Sequence, residues 1–297
     1  MKVHLCGVRG STPVSGPEFD RYGGHTSCVV VCRDRERPRL ILDAGTGLAR
    51  AIPLFEGGPL LGTILLGHLH WDHTQGLPFF PPADRPDARV RLLAPAQGDI
   101  EAVLGRMMSP PHFPILPGQL RGEWTFEGIE PGSQEIEGFQ VRALEIPHGG
   151  GRMMGCRIVD GETSLAYISD HGPIAAGPGP EGFGEYHEAV MELARDTDLL
   201  VHDAQYTVDE FWSRVSFGHS AADYAVQLGI KAGARRLVLF HHDPFHDDDA
   251  IDRIVAHCRA LVRGTDLTVE AAMEGSVITV GPRVPSPLRG GGSGRGA

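Results

Sequence analysis

The amino-acid sequence predicts an α+β protein, built as one domain from two β-sheets with helices on the outside. Strand-like apolar segments dominate up to residue 169, and most of the helix-like segments come after it. There is no obvious linker before residue 282, and no segment of about 20–50 residues repeats itself. Two packed sheets covered by helices are the simplest arrangement of such elements. We therefore expect one domain over residues 1–282 and a flexible Gly-, Pro- and Ser-rich tail over residues 283–297.

Short strands separated by turns are predicted for the first part of the chain. Apolar runs place them at residues 2–6, 27–32, 39–43, 63–68 and 89–94. A helix-like periodicity follows near residues 98–108. Residues 109–118 contain four prolines, which exclude a regular element there.

Strands and helices alternate in the second part. The predicted strands are 139–146, 156–159, 164–169, 198–201 and 236–240, followed by a final pair of strands at 267–272 and 276–280. The predicted helices are 185–196, 220–233 and 248–262. Ser220 is the expected N-cap of the middle helix, with Asp223 completing a capping box.

The charge balance limits the partners that the protein can hold. Asp and Glu outnumber Lys and Arg by 38 to 27, so the net charge is −11. A protein that holds long nucleic acid neutralises phosphates with a basic face. The sequence therefore disfavours long nucleic acid as a partner, but it allows one small phosphodiester drawn in by metal ions. Fifteen histidines are present, and histidine is the commonest metal ligand.

Cysteine usage and hydropathy favour a cytoplasmic protein. The cysteines are residues 6, 28, 32, 156 and 258, which are too few and too scattered for a disulfide scaffold. We expect buried, reduced thiols. The N-terminus does not resemble a signal peptide, and the apolar runs are far shorter than the roughly 20 residues of a membrane span.

The strongest functional signal is the run HLHWDH at residues 68–73, where an apolar strand ends. Alternate residues of an extended segment share a face, so His68 and His70 can point at one metal ion. A turn after Trp71 can direct Asp72 and His73 toward a second ion. Buried imidazoles and carboxylates need partners, which makes this run costly as ordinary core.

This motif resembles the metallo-β-lactamase superfamily, and the similarity covers about residues 1–282. The resemblance implies a four-layer αββα sandwich of two mixed sheets flanked by helices, with the site along one sheet edge. Three further motifs follow in the order that the family uses: His148 in EIPHGGG, Asp170 in AYISDHG and His241 in RLVLFHHDP.

The resemblance also implies a ligand set for two divalent metal ions. One ion would be bound by His68, His70 and His148, the other by Asp72, His73 and His241, and Asp170 would bridge the two. Imidazole and carboxylate ligands suit Zn, Mn, Fe or Co. We take Zn as the first candidate and Mn as the second.

The last ligand lies in a pair of adjacent histidines. The stretch LVLFHHDPFH resembles the end of ribonuclease Z, where Thr-His-Phe-Ser-Pro follows a strand. Placing Pro244 on the proline of that motif makes His241 the ligand and leaves His242 beside it. The alternative, with His242 as the ligand, stays open at this point.

Two later segments resemble the phosphodiesterase and ribonuclease Z branch of the superfamily. His202-Asp203-Ala204-Gln205 and Gly218-His219-Ser220 stand where that branch has His-Glu-Ala-Thr and His-Ser-Thr. The acid of the first segment would orient the histidine of the second. The resemblance thus implies hydrolysis by a metal-bridged hydroxide, with Asp72 at the reacting centre, His219 as general acid and Asp203 behind it. Asp203 stands where the branch has Glu, and Ala221 stands where it has Thr.

Several other residues are candidates for substrate binding. Gly-rich loops containing Arg9, Ser11 and His25 resemble loops of a phosphodiesterase-like branch and could bring backbone N–H groups to a phosphate. Trp212 can stack on a base, and His242 is a further candidate. Asp43 ends a strand and is a candidate to support a metal-binding histidine. The Pro-rich insert 107–117 could form a lid or a dimer contact.

The favoured function is a metal-dependent phosphodiesterase acting on a small molecule such as a cyclic nucleotide. Two alternatives share the fold: a ribonuclease Z-like RNA 3′-processing nuclease, and a hydrolase of lactones, thioesters or other carboxylic esters. A non-catalytic metal-binding module is disfavoured because all seven candidate ligands are present. A homodimer is expected from the resemblance alone.

Overall fold

The structure, a computed structural model, describes residues 1–281. Fourteen strands form the framework of this part of the chain. In chain order they are β1 (Lys2–Gly7), β2 (Cys28–Cys32), β3 (Leu40–Leu42), β4 (Leu61–Leu65), β5 (Arg89–Pro95), β6 (Glu123–Ile129), β7 (Gly132–Ile136), β8 (Phe139–Glu145), β9 (Met154–Asp160), β10 (Thr163–Ile168), β11 (Leu199–Asp203), β12 (Arg236–Phe240), β13 (Thr268–Ala271) and β14 (Val277–Thr279). The predicted flexible tail, residues 283–297, lies outside the described residues.

Six α-helices accompany these strands within the same range. They are α1 (Leu48–Ala51), α2 (Ile100–Gly105), α3 (Glu188–Ala194), α4 (Val208–Arg214), α5 (Ala222–Ala232) and α6 (Asp248–Leu261). None of the helices in residues 1–281 combines the length and the apolar character needed to cross a membrane. All five cysteines are free and buried.

The strands form two mixed sheets, as predicted, and each sheet has seven strands. The first sheet has the order β14-β1-β2-β3-β4-β5-β6, and the second has the order β13-β12-β11-β10-β9-β8-β7. In each sheet one half is antiparallel and the other half parallel: β3 to β6 are parallel in the first, and β10 to β13 in the second. The predicted four-layer αββα sandwich is confirmed.

Apolar side chains hold the layers together. Val29 of β2 and Ile158 of β9 belong to a cluster that fills the space between the two sheets. On the outer face of the first sheet, Leu48 of α1 and Leu104 of α2 pack in a second cluster. A third cluster, which includes Val190, Val226 and Ile251, joins α3, α5 and α6 to the second sheet. The hydrophobic effect of burying these faces is the main stabilising contribution to such an arrangement.

The loops that carry the candidate site emerge at one edge of the sandwich. In the second sheet β10, β11 and β12 are parallel, and β8 runs in the same direction because both β8 and β10 are antiparallel to β9. His148, Asp170 and His241 therefore follow strands whose carboxyl ends share an edge, and Asp203 ends β11. His68 follows β4 of the other sheet and meets them there.

Two expectations about local structure are wrong. The last two strands do not pair with each other: β13 lies beside β12 in the second sheet, and β14 lies beside β1 in the first. Apolar alternation identifies a strand but not its partner. Helix α5 has Ala221 as its N-cap with no side-chain cap bond, because the hydroxyl of Ser220 donates instead to the backbone carbonyl of His171 at 2.8 Å.

Four elements had no prediction from the sequence: β6, β7 and the short helices α1 and α4. Charged residues interrupt the apolar patterns of β6, β7 and α4, and α1 has only four residues. The predicted helix at 98–108 is shorter in the structure and ends at Gly105. The remaining boundaries agree with the predictions to within a few residues.

Candidate metal centre

Three histidines form the first half of the centre. The ligand-type nitrogens of His68, His70 and His148 lie within 4.8 Å of one another. His148 Nδ1 donates to the backbone carbonyl of Gly218 at 2.8 Å. Because a carbonyl oxygen only accepts, this bond fixes the tautomer of His148 and leaves the lone pair of Nε2 facing His70, whose Nδ1 is 3.3 Å away.

Two histidines and two carboxylates form the second half. Asp72, His73, Asp170 and His241 are all buried, and their ligand-type atoms again lie within 4.8 Å of one another. His241 Nε2 lies 3.1 Å from Asp72 Oδ2 and 3.3 Å from Asp170 Oδ2. His73 Nε2 lies 3.2 Å from Asp72 Oδ2 and 3.1 Å from Asp170 Oδ1. The four side chains thus converge on one point.

Asp170 stands between the two halves. Its Oδ2 lies 3.7 Å from Nε2 of His68 and 3.8 Å from Nε2 of His148 in the first half. The same carboxylate contacts His73 and His241 in the second half. This is the position that a residue shared by both halves must have.

Polar partners outside the centre orient its histidines. His73 Nδ1 donates to Asp43 Oδ2 at 2.8 Å, and the hydroxyl of Tyr167 donates to the same oxygen at 2.7 Å. His241 Nδ1 donates to Oε1 of Gln205 at 2.9 Å. In both histidines the Nδ1 bond directs Nε2 toward the centre. The support expected from Asp43 is therefore present as a contact with His73.

The centre concentrates charge in a buried space. Burial opposes ionisation of Asp170, but the imidazoles of His241 and His73 outweigh it and hold the pKa of this carboxyl well below its usual range. Burial likewise disfavours protonation of His73, yet Asp170 and Asp72 raise its pKa well above the usual value. Burial lowers the pKa of His68 well below its usual value, and nearby His73 adds to the effect. The carboxylates thus attract positive charge to the centre.

The residues fit a pair of divalent metal ions. Both ring nitrogens of His68, Nε2 of His73 and Oδ1 of Asp170 are buried and have no hydrogen-bond partner among residues 1–281. Unpartnered buried polar atoms are costly, and a bound ion is one way to satisfy them. Imidazole and carboxylate groups are the donors that Zn, Mn, Fe and Co accept.

A histidine–carboxylate pair lies beside both halves of the centre. His219 Nδ1 donates to Asp203 Oδ2 at 2.9 Å. The ring of His219 has its centroid 5.1 Å from that of His148 and 4.9 Å from that of His241. The backbone N–H groups of His171 and Ser220 donate to the same oxygen of Asp203, which holds this carboxylate in place.

The structure brings His241, rather than His242, to the centre. His242 is buried away from it, with Nε2 donating to the carbonyl of Ala272 at 2.9 Å. Burial lowers the pKa of His242 to about 3. His241 has a positive φ of 61°, which belongs to the left-handed region that few non-glycine residues adopt. Such a strained backbone often occurs at functional positions.

The other candidate substrate-binding residues lie in different surroundings. The backbone N–H of Ser11 donates to Asp72 Oδ2 at 2.8 Å, so Ser11 lies at the centre. Arg9 is fully buried, and its guanidinium donates to the carbonyl oxygens of Gly23, Asp243 and His246. This placement gives no support to substrate binding by Arg9.

His25 and Trp212 lie nearer the surface. His25 is paired with Glu274, whose carboxylate accepts from both the ring and the backbone N–H of His25. Trp212 is about half exposed on α4. Among the residues of functional interest, Tyr167 and the role of Gln205 were not predicted from the sequence. Gln205 stands two positions after Asp203 in a segment already singled out, whereas nothing distinguishes Tyr167 from an ordinary core tyrosine.

The chain is similar to known proteins over most of its length. A family profile described as "Beta-lactamase superfamily domain" matches residues 38–242. Ribonuclease Z of Haloarcula marismortui is 24% identical over 316 aligned residues, which cover 92% of this chain and 96% of that protein.

Solved structures show the same fold. The short form of human tRNase Z has a TM-score of 0.65 at 19% identity, covering 95% of this chain and 100% of that chain. A diphosphatase of the PhnP family has a TM-score of 0.66 at 20% identity, covering 94% and 97%. The family profile spans more than half of the sequence and includes the HLHWDH run, so this chain belongs to the β-lactamase superfamily and is a metal-dependent hydrolase.

Proposed function

We propose that the protein is a dinuclear metal-dependent phosphodiesterase that hydrolyses a small phosphodiester such as a cyclic nucleotide. The observation that carries this proposal is the His219–Asp203 pair beside both halves of the metal centre. Cleavage of a phosphodiester expels an alkoxide, which is a poor leaving group and needs a proton donor. A lactone or thioester has less need of such a pair.

The metal ligands follow from the two halves of the centre. We assign His68, His70 and His148 to one ion, and Asp72, His73 and His241 to the other, with Asp170 shared. When bound, two divalent ions supply Lewis-acid stabilisation of phosphate charge and lower the pKa of water. Zn is the first candidate and Mn the second, since every proposed ligand is imidazole or carboxylate.

His219 is the proposed proton donor to the leaving oxygen. Its Nδ1 proton is held by Asp203, so Nε2 is the nitrogen left to exchange a proton with substrate. A doubly protonated ring is the form that can give a proton from Nε2, and the bond from Nδ1 to Asp203 leaves Nε2 free for this transfer. The backbone bonds from His171 and Ser220 keep Asp203 in position for this task.

The chain's other polar groups hold the reacting side chains. The backbone N–H of Ser11 donates to Asp72 Oδ2. Gln205 connects Ser11 with His241, because its amide contacts both Ser11 Oγ and His241 Nδ1. Asp72 therefore has a fixed orientation at the reacting centre. Such outer contacts commonly tune metal affinity and activity.

A ribonuclease Z-like RNA 3′-processing nuclease is the second candidate. It is favoured by the curated relative of that name, whose alignment covers 92% of this chain. The net charge of −11 and the absence of Lys and Arg from residues 107–117 favour the small substrate instead. We further propose a cytoplasmic location, a homodimer and one catalytic domain spanning residues 1–282.

The first experiment is metal analysis of the purified protein followed by a substrate panel. The panel contains bis-p-nitrophenyl phosphate, 2′,3′- and 3′,5′-cyclic nucleotides, a pre-tRNA, a lactone and a thioester. We expect about two metal ions per chain and turnover confined to the small phosphodiesters. Two ions with turnover only of the pre-tRNA would select the nuclease. Turnover only of the lactone or thioester would overturn the substrate argument built on His219 and Asp203.

A further inference from the structure

A cavity of about 580 Å³ opens beside the metal centre and has no role in the function proposed above. Trp71 lines it and is also the residue between the proposed ligands His70 and Asp72. Thr74 connects the two regions, since its hydroxyl donates to the carbonyl of His70 at 2.9 Å and lies 3.6 Å from Sδ of Met107 in the cavity wall. The cavity volume is within the range of about 300–1,000 Å³ that small-molecule sites occupy.

Aromatic and thioether side chains dominate the wall. Trp71 and Phe79 are 71% and 67% exposed and line the same cavity, and exposed apolar side chains grouped in this way often mark a binding site. Phe113 lines the same cavity, and its ring packs edge-to-face against Phe79 with centroids 5.8 Å apart. Met107 and Met108 complete the apolar surface, and methionine adapts well to flat ligands.

The polar groups of the cavity also limit the ligand. In a chain of net charge −11, no Asp or Glu lines this cavity among residues 1–281, and Arg106 is the one side chain there that is always charged. Gln75 and Thr46 provide amide and hydroxyl groups at the wall. A flat, uncharged ring with polar edges matches this combination of stacking surfaces, a guanidinium and a few hydrogen-bonding groups.

We propose that this cavity binds the nucleobase of the substrate, so that the enzyme prefers phosphodiesters that carry a base. The inference rests on the proposed phosphodiesterase function and adds the substrate class to it. Base–aromatic stacking contributes about 1–3 kcal/mol per base, which corresponds to roughly 5- to 150-fold in affinity. The insert at residues 107–117 then forms part of the base site, through Met107, Met108 and Phe113.

The test compares two esters that differ only in the base. Thymidine 5′-(p-nitrophenyl phosphate) and its abasic deoxyribose analogue release the same p-nitrophenol, so the ratio of their kcat/KM values measures the contribution of the base. We expect the wild type to favour the base-bearing ester by about tenfold or more, and Phe79→Ala or Phe113→Ala to reduce this preference about fivefold or more. Phe245→Ala is the matched control, because Phe245 is 82% exposed and lies outside the cavity wall.

Two outcomes would overturn the base site. One is a wild type that hydrolyses both esters equally, and the other is an unchanged preference in both cavity variants. In the second case, loss of the preference in Trp212→Ala would place the base at Trp212 instead. If the wild type hydrolyses neither ester, the cyclic nucleotides of the substrate panel decide the phosphodiesterase function, and a binding measurement decides the base site. Calorimetric titration with thymidine 5′-monophosphate and with abasic deoxyribose 5-phosphate must then show tighter binding of the nucleotide, and Phe79→Ala must abolish the difference; equal affinities would reject the base site.

Discussion

Single residues in the centre are oriented by hydrogen bonds from both sides of the sandwich. Asp43 follows β3 of the first sheet, and it accepts from His73 and from Tyr167 of β10 in the second sheet. Its other oxygen accepts from the backbone N–H of Gly67 at 2.8 Å. One buried carboxylate therefore links both sheets to a proposed ligand, and its effect should appear in metal affinity.

Asp43→Asn tests this positioning role. The change keeps the size of the side chain but removes the negative charge that holds His73 Nδ1–H. We expect metal affinity to fall by about 10- to 100-fold, since loss of such outer partners usually has this effect. The measurement is a competition titration with a chromophoric chelator.

Asp198→Asn is the control for Asp43→Asn. Asp198 is also buried and accepts from the backbone and hydroxyl of Ser164, but it lies outside the metal centre. Its substitution should lower stability without weakening metal binding. Equal loss of metal affinity in both variants would mean that Asp43 acts only through stability.

His219→Ala tests the proposed proton donor. We expect metal content to stay near that of the wild type, while hydrolysis of a 3′,5′-cyclic nucleotide slows by about 10²–10⁴-fold. Bis-p-nitrophenyl phosphate should be affected much less, because p-nitrophenolate leaves without a proton. The ratio of the two rate losses, measured from kcat, is the readout.

A second histidine provides the control for this variant. His257 on α6 also contacts a carboxylate, with Nε2 2.9 Å from Asp223 Oδ1, but it is exposed and outside the metal centre. His257→Ala should leave both rates unchanged. Equal slowing of the two substrates in His219→Ala would count against its role as an acid.

At the scale of elements, the site depends on loops that the sequence only partly reveals. The ligand motifs could be predicted because each follows an apolar strand as a short run of ligand-type residues. Contacts between distant segments could not: Tyr167 and Asp43 are 124 residues apart, and neither alternation nor spacing pairs them. The same limit explains the error at β13 and β14, whose partners lie in different sheets.

The loop after β1 shows how tightly these elements pack. A Cβ built on Gly10 would lie 2.4 Å from Nδ1 of His241, closer than real Cβ atoms come to any neighbour. Gly10→Ala should therefore displace His241 and disturb its bond to Gln205. We expect occupancy of one metal site to fall, measured as metal ions per chain after dialysis.

Gly132→Ala is the control for the loop variant. The nearest atom to a Cβ at Gly132, the first residue of β7, is 3.9 Å away, so an added methyl group fits there. This variant should keep full metal content. Normal metal content in Gly10→Ala would mean that the loop moves aside without displacing His241.

At the scale of the whole molecule, charge decides between the two candidate functions. A protein that contacts six to ten phosphates loses about 10³–10⁵ in affinity between 50 and 200 mM salt. A net charge of −11 opposes the many phosphate contacts that such binding needs. We expect pre-tRNA binding no tighter than non-specific binding, about 10⁻⁴–10⁻⁶ M at physiological salt.

The corresponding measurement is a mobility-shift titration with pre-tRNA at both salt concentrations, alongside kcat/KM for a small phosphodiester. A ribonuclease Z serves as the positive control for tRNA binding. The kcat/KM for the small substrate should change little with salt, because salt ions screen the interaction between one phosphate and a buried centre only weakly. Tight pre-tRNA binding that weakens steeply with salt would instead mean that a local basic surface binds RNA despite the net negative charge. RNA would then be the substrate, and His219 with Asp203 would have the same role in its cleavage.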